Sequence, residues 1–221
     1  MNIPVEEYKK NGYVVIPDAI PGHMVMKVRG IAMGLKQRMS AQKLFGTKKD
    51  FGVPTYWKGI DMASVLDPQL FELYTQPFMQ ELSAALLETR EVYHFNDQVV
   101  CKMPDEDFVF DAHCDNQYGP NPGLASKGIF KTVTCCWVID DMTPENGAIG
   151  FLNRSTGQWE TPYARSGTIM AWDGNTVHAS GKNNSSNARI VWLLIYSNAE
   201  VATIPSSSDI FTRFHKGKFT L

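Results

Sequence analysis

Thr176-Val-His-Ala-Ser-Gly-Lys-Asn-Asn-Ser-Ser-Asn-Ala-Arg-Ile-Val-Trp-Leu-Leu-Ile-Tyr196 reads as a short strand, a polar turn and a long returning strand. The return is apolar apart from Arg189 at its start. Alternate residues of a strand share a face, so His178 and Ser180 point the same way, and an antiparallel return sets Arg189 beside them. Outward from this hairpin, everything after Glu91 consists of β-branched and aromatic runs cut by Gly, Pro, Asn and Asp. That pattern predicts short antiparallel strands near 92–103, 107–113, 129–139, 148–152, 167–172, 176–179 and 188–197. Turns are expected at Pro104-Asp-Glu-Asp107, Gly119-Pro-Asn-Pro-Gly123, Thr143-Pro-Glu-Asn-Gly147, Asp173-Gly-Asn175 and Gly181-Lys-Asn-Asn-Ser-Ser186.

The chain before Glu91 reads differently. One strand is expected over Gly12–Pro17, followed by a helix over 21–39 begun by Asp18, with Val25, Val28, Ile31, Met33 and Leu35 as an apolar stripe. A second helix is expected from Pro68 to Glu88, where Leu70, Tyr74, Phe78, Leu82 and Leu86 recur at four-residue spacing. Helices followed by about eight strands predict a mostly β fold with flanking helices around a double-stranded β-helix, the jelly-roll or cupin-like core. A single domain is expected over 1–221: a mainly helical buttress (1–90), the jelly-roll core (91–200) and a C-terminal segment (201–221).

Composition narrows the function classes. With 21 basic and 23 acidic side chains the formal charge is −2, which gives no general pull toward nucleic acid or an anionic membrane, so a small-molecule substrate is the default partner. Oligomeric state is left open. The opening Met1-Asn-Ile-Pro-Val-Glu-Glu-Tyr-Lys-Lys10 lacks a secretory layout and no apolar run approaches a membrane span, so a cytoplasmic location is expected. The four cysteines, two of them adjacent at Cys135 and Cys136, form neither a disulfide framework nor a Cys-x-x-Cys cage and should be free thiols.

His113-Cys-Asp115 and His178 together outline a two-histidine, one-carboxylate site that occupies one face of an octahedral Fe(II) and leaves three positions for a chelating co-substrate and dioxygen. A His-x-Asp pair alone is weak evidence, since this composition yields about 0.3 by chance. If 107–113 is extended and the strand continues, His113 and Asp115 face one way and Cys114 the other. The alternative is a core histidine beside a surface aspartate. Arg189 adds independent weight, because a buried guanidinium needs an anion of matching fork geometry and no nearby acid in the sequence supplies one. The distal carboxylate of 2-oxoglutarate fits, with the Ser180 hydroxyl as a second donor; a structural arginine paired to a distant acid is the other reading.

These residues resemble the phytanoyl-CoA dioxygenase family of Fe(II)/2-oxoglutarate-dependent oxygenases over nearly the whole chain. Asn11-Gly-Tyr-Val-Val-Ile-Pro17 is similar to the family's opening strand, His113-Cys-Asp115 to its first ligand pair, and Glu145-Asn-Gly147 to a turn between sheet strands. His178-Ala-Ser180 with Arg189 is similar to its distal half. The resemblance implies that His113, Asp115 and His178 bind the metal and that Arg189 and Ser180 hold 2-oxoglutarate, with Trp137 and Gln98 lining the co-substrate pocket. It implies an enzyme that uses Fe(II), 2-oxoglutarate and O2 to hydroxylate a C–H bond, releasing succinate and CO2. Related halogenases carry a small residue where Asp115 stands, so hydroxylation is expected rather than chlorination. Ala112, where a tryptophan is common, and Asn153-Arg-Ser-Thr156, in place of Pro-Gly-Ser-His, are departures that bear on the substrate.

The substrate itself is less legible. Lys36, Arg38, Lys43, Lys48, Lys49 and Lys58 stand against Asp50 alone between Leu35 and Gly59, a basic stretch that either borders the pocket and favours an anionic metabolite or forms a solvated face. Tyr56, Trp57, Asn116 and Tyr118 are further pocket candidates. A non-catalytic jelly-roll ligand-binding module and a hydroxylase of protein side chains are the competing functions. Stereochemistry and position of oxidation are not readable from the sequence.

Overall fold

The computed structural model describes residues 2–41, 59–61, 63–104, 106, 109–118, 125, 127–200 and 218–220. The helical half contains α1 (Val5–Asn11), β1 (Tyr13–Ile16), α2 (Gly22–Ala41), β2 (Gly59–Asp61), α3 (Ala63–Leu66), α4 (Pro68–Tyr74) and α5 (Pro77–Leu87). Strands β3 (Glu91–Lys102), β4 (Phe110–His113), β5 (Thr132–Val138) and β6 (Ile149–Leu152) follow. They are succeeded by β7 (Trp159–Glu160), β8 (Ile169–Asp173), β9 (His178–Ser180), β10 (Arg189–Ser197) and β11 (Lys218–Thr220).

Two sheets result. The larger runs β1-β8-β5-β10-β3-β11 with β2 also on β3, and the smaller runs β4-β9-β6-β7, with every pairing antiparallel. The expected jelly roll with flanking helices is therefore the observed fold. Its larger sheet is buried on both faces. Ile190, Trp192, Leu194 and Tyr196 of β10 join Val25, Val28, Leu70, Met79 and Leu82 in the core under the helices, whereas Val191 joins Ile149, Phe151, Met170 and Trp172 in a second core between the sheets. Fully burying a side chain of this size contributes on the order of 2 kcal/mol, whereas an exposed ion pair such as Lys9–Glu88 is screened by solvent, so these two cores hold the sandwich.

Departures from expectation have local causes. The helix expected over 68–88 breaks into α4 and α5 because Pro77 has no N–H and its ring drives Gln76 out of helical geometry, to φ −58° and ψ 139°. Each piece begins with a proline at its first position, and Asp67 caps α4 by accepting from the Gln69 N–H at 3.0 Å. Helix α1, absent from the sequence reading, ends at Gly12, whose φ of +85° suits a residue without Cβ. Strand β4 is described from Phe110, and residues 107 and 108 of the expected strand lie outside the described residues. Among the described residues no helix is long and apolar enough to cross a membrane.

Candidate metal and co-substrate site

Antiparallel register builds the site. Strands β4 and β9 pair His113 directly with His178, which brings the two imidazole centroids to 4.4 Å. One pleat further along β9, Ser180 lies between Phe110 of β4 and Ile149 of β6. Asp115 arrives by a different route from the one expected. It does not continue β4 but opens a 3-10 turn, Asp115–Tyr118, so the turn rather than strand alternation carries its carboxylate back toward the histidines. Cys114 correspondingly sits at the strand end, with its thiol 3.8 Å from Gln117 Oε1.

Ligand atoms of His113, Asp115 and His178 all lie within 4.8 Å of one another. Asp115 Oδ1 is 3.5 Å from His178 Nε2 and 3.8 Å from His113 Nε2. The remaining atom of each group is occupied. His113 Nδ1 lies 2.7 Å from the Asp111 carbonyl and His178 Nδ1 3.0 Å from the Thr176 carbonyl; a carbonyl only accepts, so each Nδ1 carries the hydrogen and each Nε2 keeps its lone pair. Asp115 Oδ2 accepts from Thr134 Oγ1 at 2.8 Å and from Trp172 Nε1 at 2.9 Å, leaving Oδ1 as the free oxygen. Burial, and then the neighbouring His113, hold the His178 imidazole below the usual histidine range against the opposing pull of Asp115. The neutral form is the one that binds metal.

Behind the triad is a cavity of about 450 Å³, measured out to its open mouth, whose lining includes Gln98, Phe110, Ser180, Arg189, Val191 and Leu193. Arg189 is 1% exposed. Its Nη2 donates to the Gly147 carbonyl at 2.7 Å and its Nε reaches the Asn146 carbonyl at 3.5 Å, while no described carboxylate pairs with it and no described residue accepts from Nη1. Burial lowers its pKa to about 10, which still leaves a cation at neutral pH. A buried guanidinium held by two backbone carbonyls and facing a cavity has the charge and donor geometry to take an anion.

The family model for phytanoyl-CoA dioxygenase matches residues 8–162, more than half of the sequence. The chain belongs to the phytanoyl-CoA dioxygenase family. Solved structures of the same fold include EctD from S. alaskensis with 2-oxoglutarate and 5-hydroxyectoine, at TM-score 0.78 and 17% identity over 96% of this chain and 83% of EctD. The epimerase SnoN in complex with Fe3+, alpha-ketoglutarate and nogalamycin RO matches at TM-score 0.70 and 18% identity, covering 89% of this chain and 82% of SnoN. The carbocyclase SnoK from nogalamycin biosynthesis matches at TM-score 0.71 and 17% identity, covering 89% and 83%. At these identities the likeness is one of fold. No curated protein sequence matches the chain significantly.

Within this dioxygenase fold the other sequence candidates divide. Gln98 lines the cavity. Trp137 does not: it packs in the helix-facing core, stacked on Phe78 and edge-on to Trp192, with Nε1 3.2 Å from Met79 Sδ, which corrects the pocket assignment. Asn116 is spent on structure, donating to Asn175 Oδ1 and accepting from Thr132 Oγ1. Lys36 pairs with Glu106 at 2.7 Å and Arg38 is exposed, whereas Lys43, Lys48, Lys49, Tyr56, Trp57 and Lys58 lie outside the described residues, as does the Tyr118 side chain.

Two residues support the site in ways the sequence alone does not assign. Trp172 matters through its indole N–H on Asp115, and Trp172→Phe, which keeps the aromatic bulk and removes that donor, should weaken Fe(II) affinity about tenfold in a chelator-competition titration. Gly147 is required by geometry: its φ is +71° and a Cβ would collide with the Gly181 carbonyl. Gly147→Ala should therefore destabilise the fold by about 3 kcal/mol in urea unfolding.

Proposed function

We propose that the chain is an Fe(II)- and 2-oxoglutarate-dependent hydroxylase of a small molecule, its metal held by His113 Nε2, His178 Nε2 and Asp115 Oδ1 and the distal carboxylate of 2-oxoglutarate by Arg189 and Ser180. The observation that carries this is the pairing of a convergent two-histidine, one-carboxylate set with a buried guanidinium that has no described acid partner, both opening on one cavity. Iron held there would supply, together with 2-oxoglutarate and dioxygen, the oxidising power for hydroxylation, with succinate and CO2 as the co-products.

The protein's own residues supply orientation. Thr134 and Trp172 fix the Asp115 carboxylate, the Asp111 and Thr176 carbonyls fix the imidazoles, and Arg189 sets the direction in which a five-carbon diacid enters. Val100, Phe110, Ile149, Val191 and Leu193 exclude water around the reacting end. No side chain is needed as a general base. EctD is described with 5-hydroxyectoine and SnoN with nogalamycin RO, both small molecules, which supports a metabolite as substrate. With a metal bound, Asp115 would supply a carboxylate ligand where related halogenases carry a small residue, which favours hydroxyl transfer.

The test is a panel of metabolites, anionic compounds first, scored by stimulated succinate release and by a mass gain of one oxygen in the product. Succinate release coupled to a product that gains no oxygen, as epimerisation or ring closure would give, contradicts hydroxylation. Release that depends only on a protein or peptide contradicts the small-molecule substrate.

A further inference from the structure

The polar cluster beside the cavity holds a second buried cation. Lys102, the last residue of β3, stands directly opposite Arg189 in the β3–β10 register, and its side chain is fully buried. Its ammonium donates to Ser180 Oγ at 2.7 Å, to the Ser180 carbonyl at 3.1 Å and to the Gly181 carbonyl, and it lies 5.6 Å from the centroid of the Phe110 ring. The described acceptors of the ammonium all belong to Ser180 and Gly181, at the end of β9. That convergence calls for an account of what the ammonium does to Ser180.

Hydrogen-bond polarity gives one. An ammonium only donates, so Lys102 occupies a lone pair of Ser180 Oγ and the hydroxyl hydrogen must point elsewhere. No described residue accepts that hydrogen, and Ser180 lines the cavity. We propose that Lys102 is a positioning residue that fixes Ser180 as a hydrogen-bond donor into the cavity, so that the serine presents its O–H rather than a lone pair to the distal carboxylate of 2-oxoglutarate. This rests on the reading that Arg189 and Ser180 form that carboxylate's subsite. Without Lys102 the hydroxyl is free to rotate and to donate to the 180 or 181 carbonyl that the ammonium had satisfied, turning its lone pairs toward an anion.

The experiment uses the full chain loaded with Fe(II) under anaerobic conditions and measures Kd for 2-oxoglutarate and for 2-oxovalerate, which has a methyl group in place of the distal carboxylate. In Lys102→Met the affinity for 2-oxoglutarate should fall about tenfold, the size of one charge-assisted hydrogen bond, with the affinities for 2-oxovalerate and for iron unchanged. Ser180→Ala should show the same loss, and the double variant should be no worse than the poorer single by more than about twofold. Equal weakening of both 2-oxo acids marks a purely structural lysine and overturns the proposal, as does an unchanged Kd for 2-oxoglutarate. If Lys102→Met fails to fold, Ser180→Ala decides: an undiminished preference for 2-oxoglutarate over 2-oxovalerate overturns the proposal. Arg189→Ala, measured in parallel, separates the two levels. Retention of that preference there means the subsite reading has failed, whereas its loss there with Lys102→Met unaffected means that only the role of Lys102 has failed.

Discussion

Arg189→Ala should weaken 2-oxoglutarate binding by roughly 30-fold or more while leaving the iron affinity intact. Truncating one partner of a buried, hydrogen-bonded charge pair costs about 2–5 kcal/mol, and each 1.4 kcal/mol is a factor of ten in Kd. The expectation is this large because the guanidinium is 1% exposed and the Gly147 and Asn146 carbonyls are its only described protein acceptors, so a carboxylate bound there would meet an otherwise uncompensated charge among the described residues. The variant also leaves those two carbonyls without their donor, a loss of about 1–3 kcal/mol that urea unfolding of the apoprotein should register. A Kd within about threefold of wild type would remove Arg189 from the co-substrate site.

His178→Ala should have the larger effect on the metal. Losing an outer-shell partner of a ligand typically costs 10- to 100-fold in metal affinity, so losing the ligand itself should exceed about 100-fold and bring succinate formation to background. The side chain lies where it can be removed without opening the main core, on a short strand of the smaller sheet between His113 and Phe151. The variant is therefore expected to stay folded. Circular dichroism with chelator competition distinguishes loss of metal from loss of structure. If His178→Ala holds iron as tightly as wild type, the triad is not the metal centre.

The contrast between these residues and the ones misread shows what a sequence makes visible. The hairpin from His178 to Tyr196 was legible because a polar turn divides two strands and the lone charged residue in an apolar run sits beside the alternating pair His178 and Ser180. Trp137 was not, because β5 is buried on both faces, and a strand without polar alternation does not reveal which face meets the cavity. Strand alternation predicts Asp115 beside His113, but the backbone brings it there by another route: a 3-10 turn, not a continuing strand, delivers it. The break at Pro77 could have been read from the proline, but the four-residue spacing of Leu70, Tyr74, Phe78, Leu82 and Leu86 masks it. Lys102 and Trp172 act through contacts across 78 and 57 residues of sequence, and a lysine ending a strand looks like an ordinary surface residue until the register is known.

The most direct test of the account is an anaerobic titration of the wild-type protein with Fe(II) and then 2-oxoglutarate, followed by visible absorption. Chelation of 2-oxoglutarate to iron held by His113, Asp115 and His178 predicts a metal-to-ligand charge-transfer band that saturates at one equivalent of each and is absent with either component alone. A protein that binds neither, or one whose band is unchanged in Arg189→Ala at limiting 2-oxoglutarate, contradicts it.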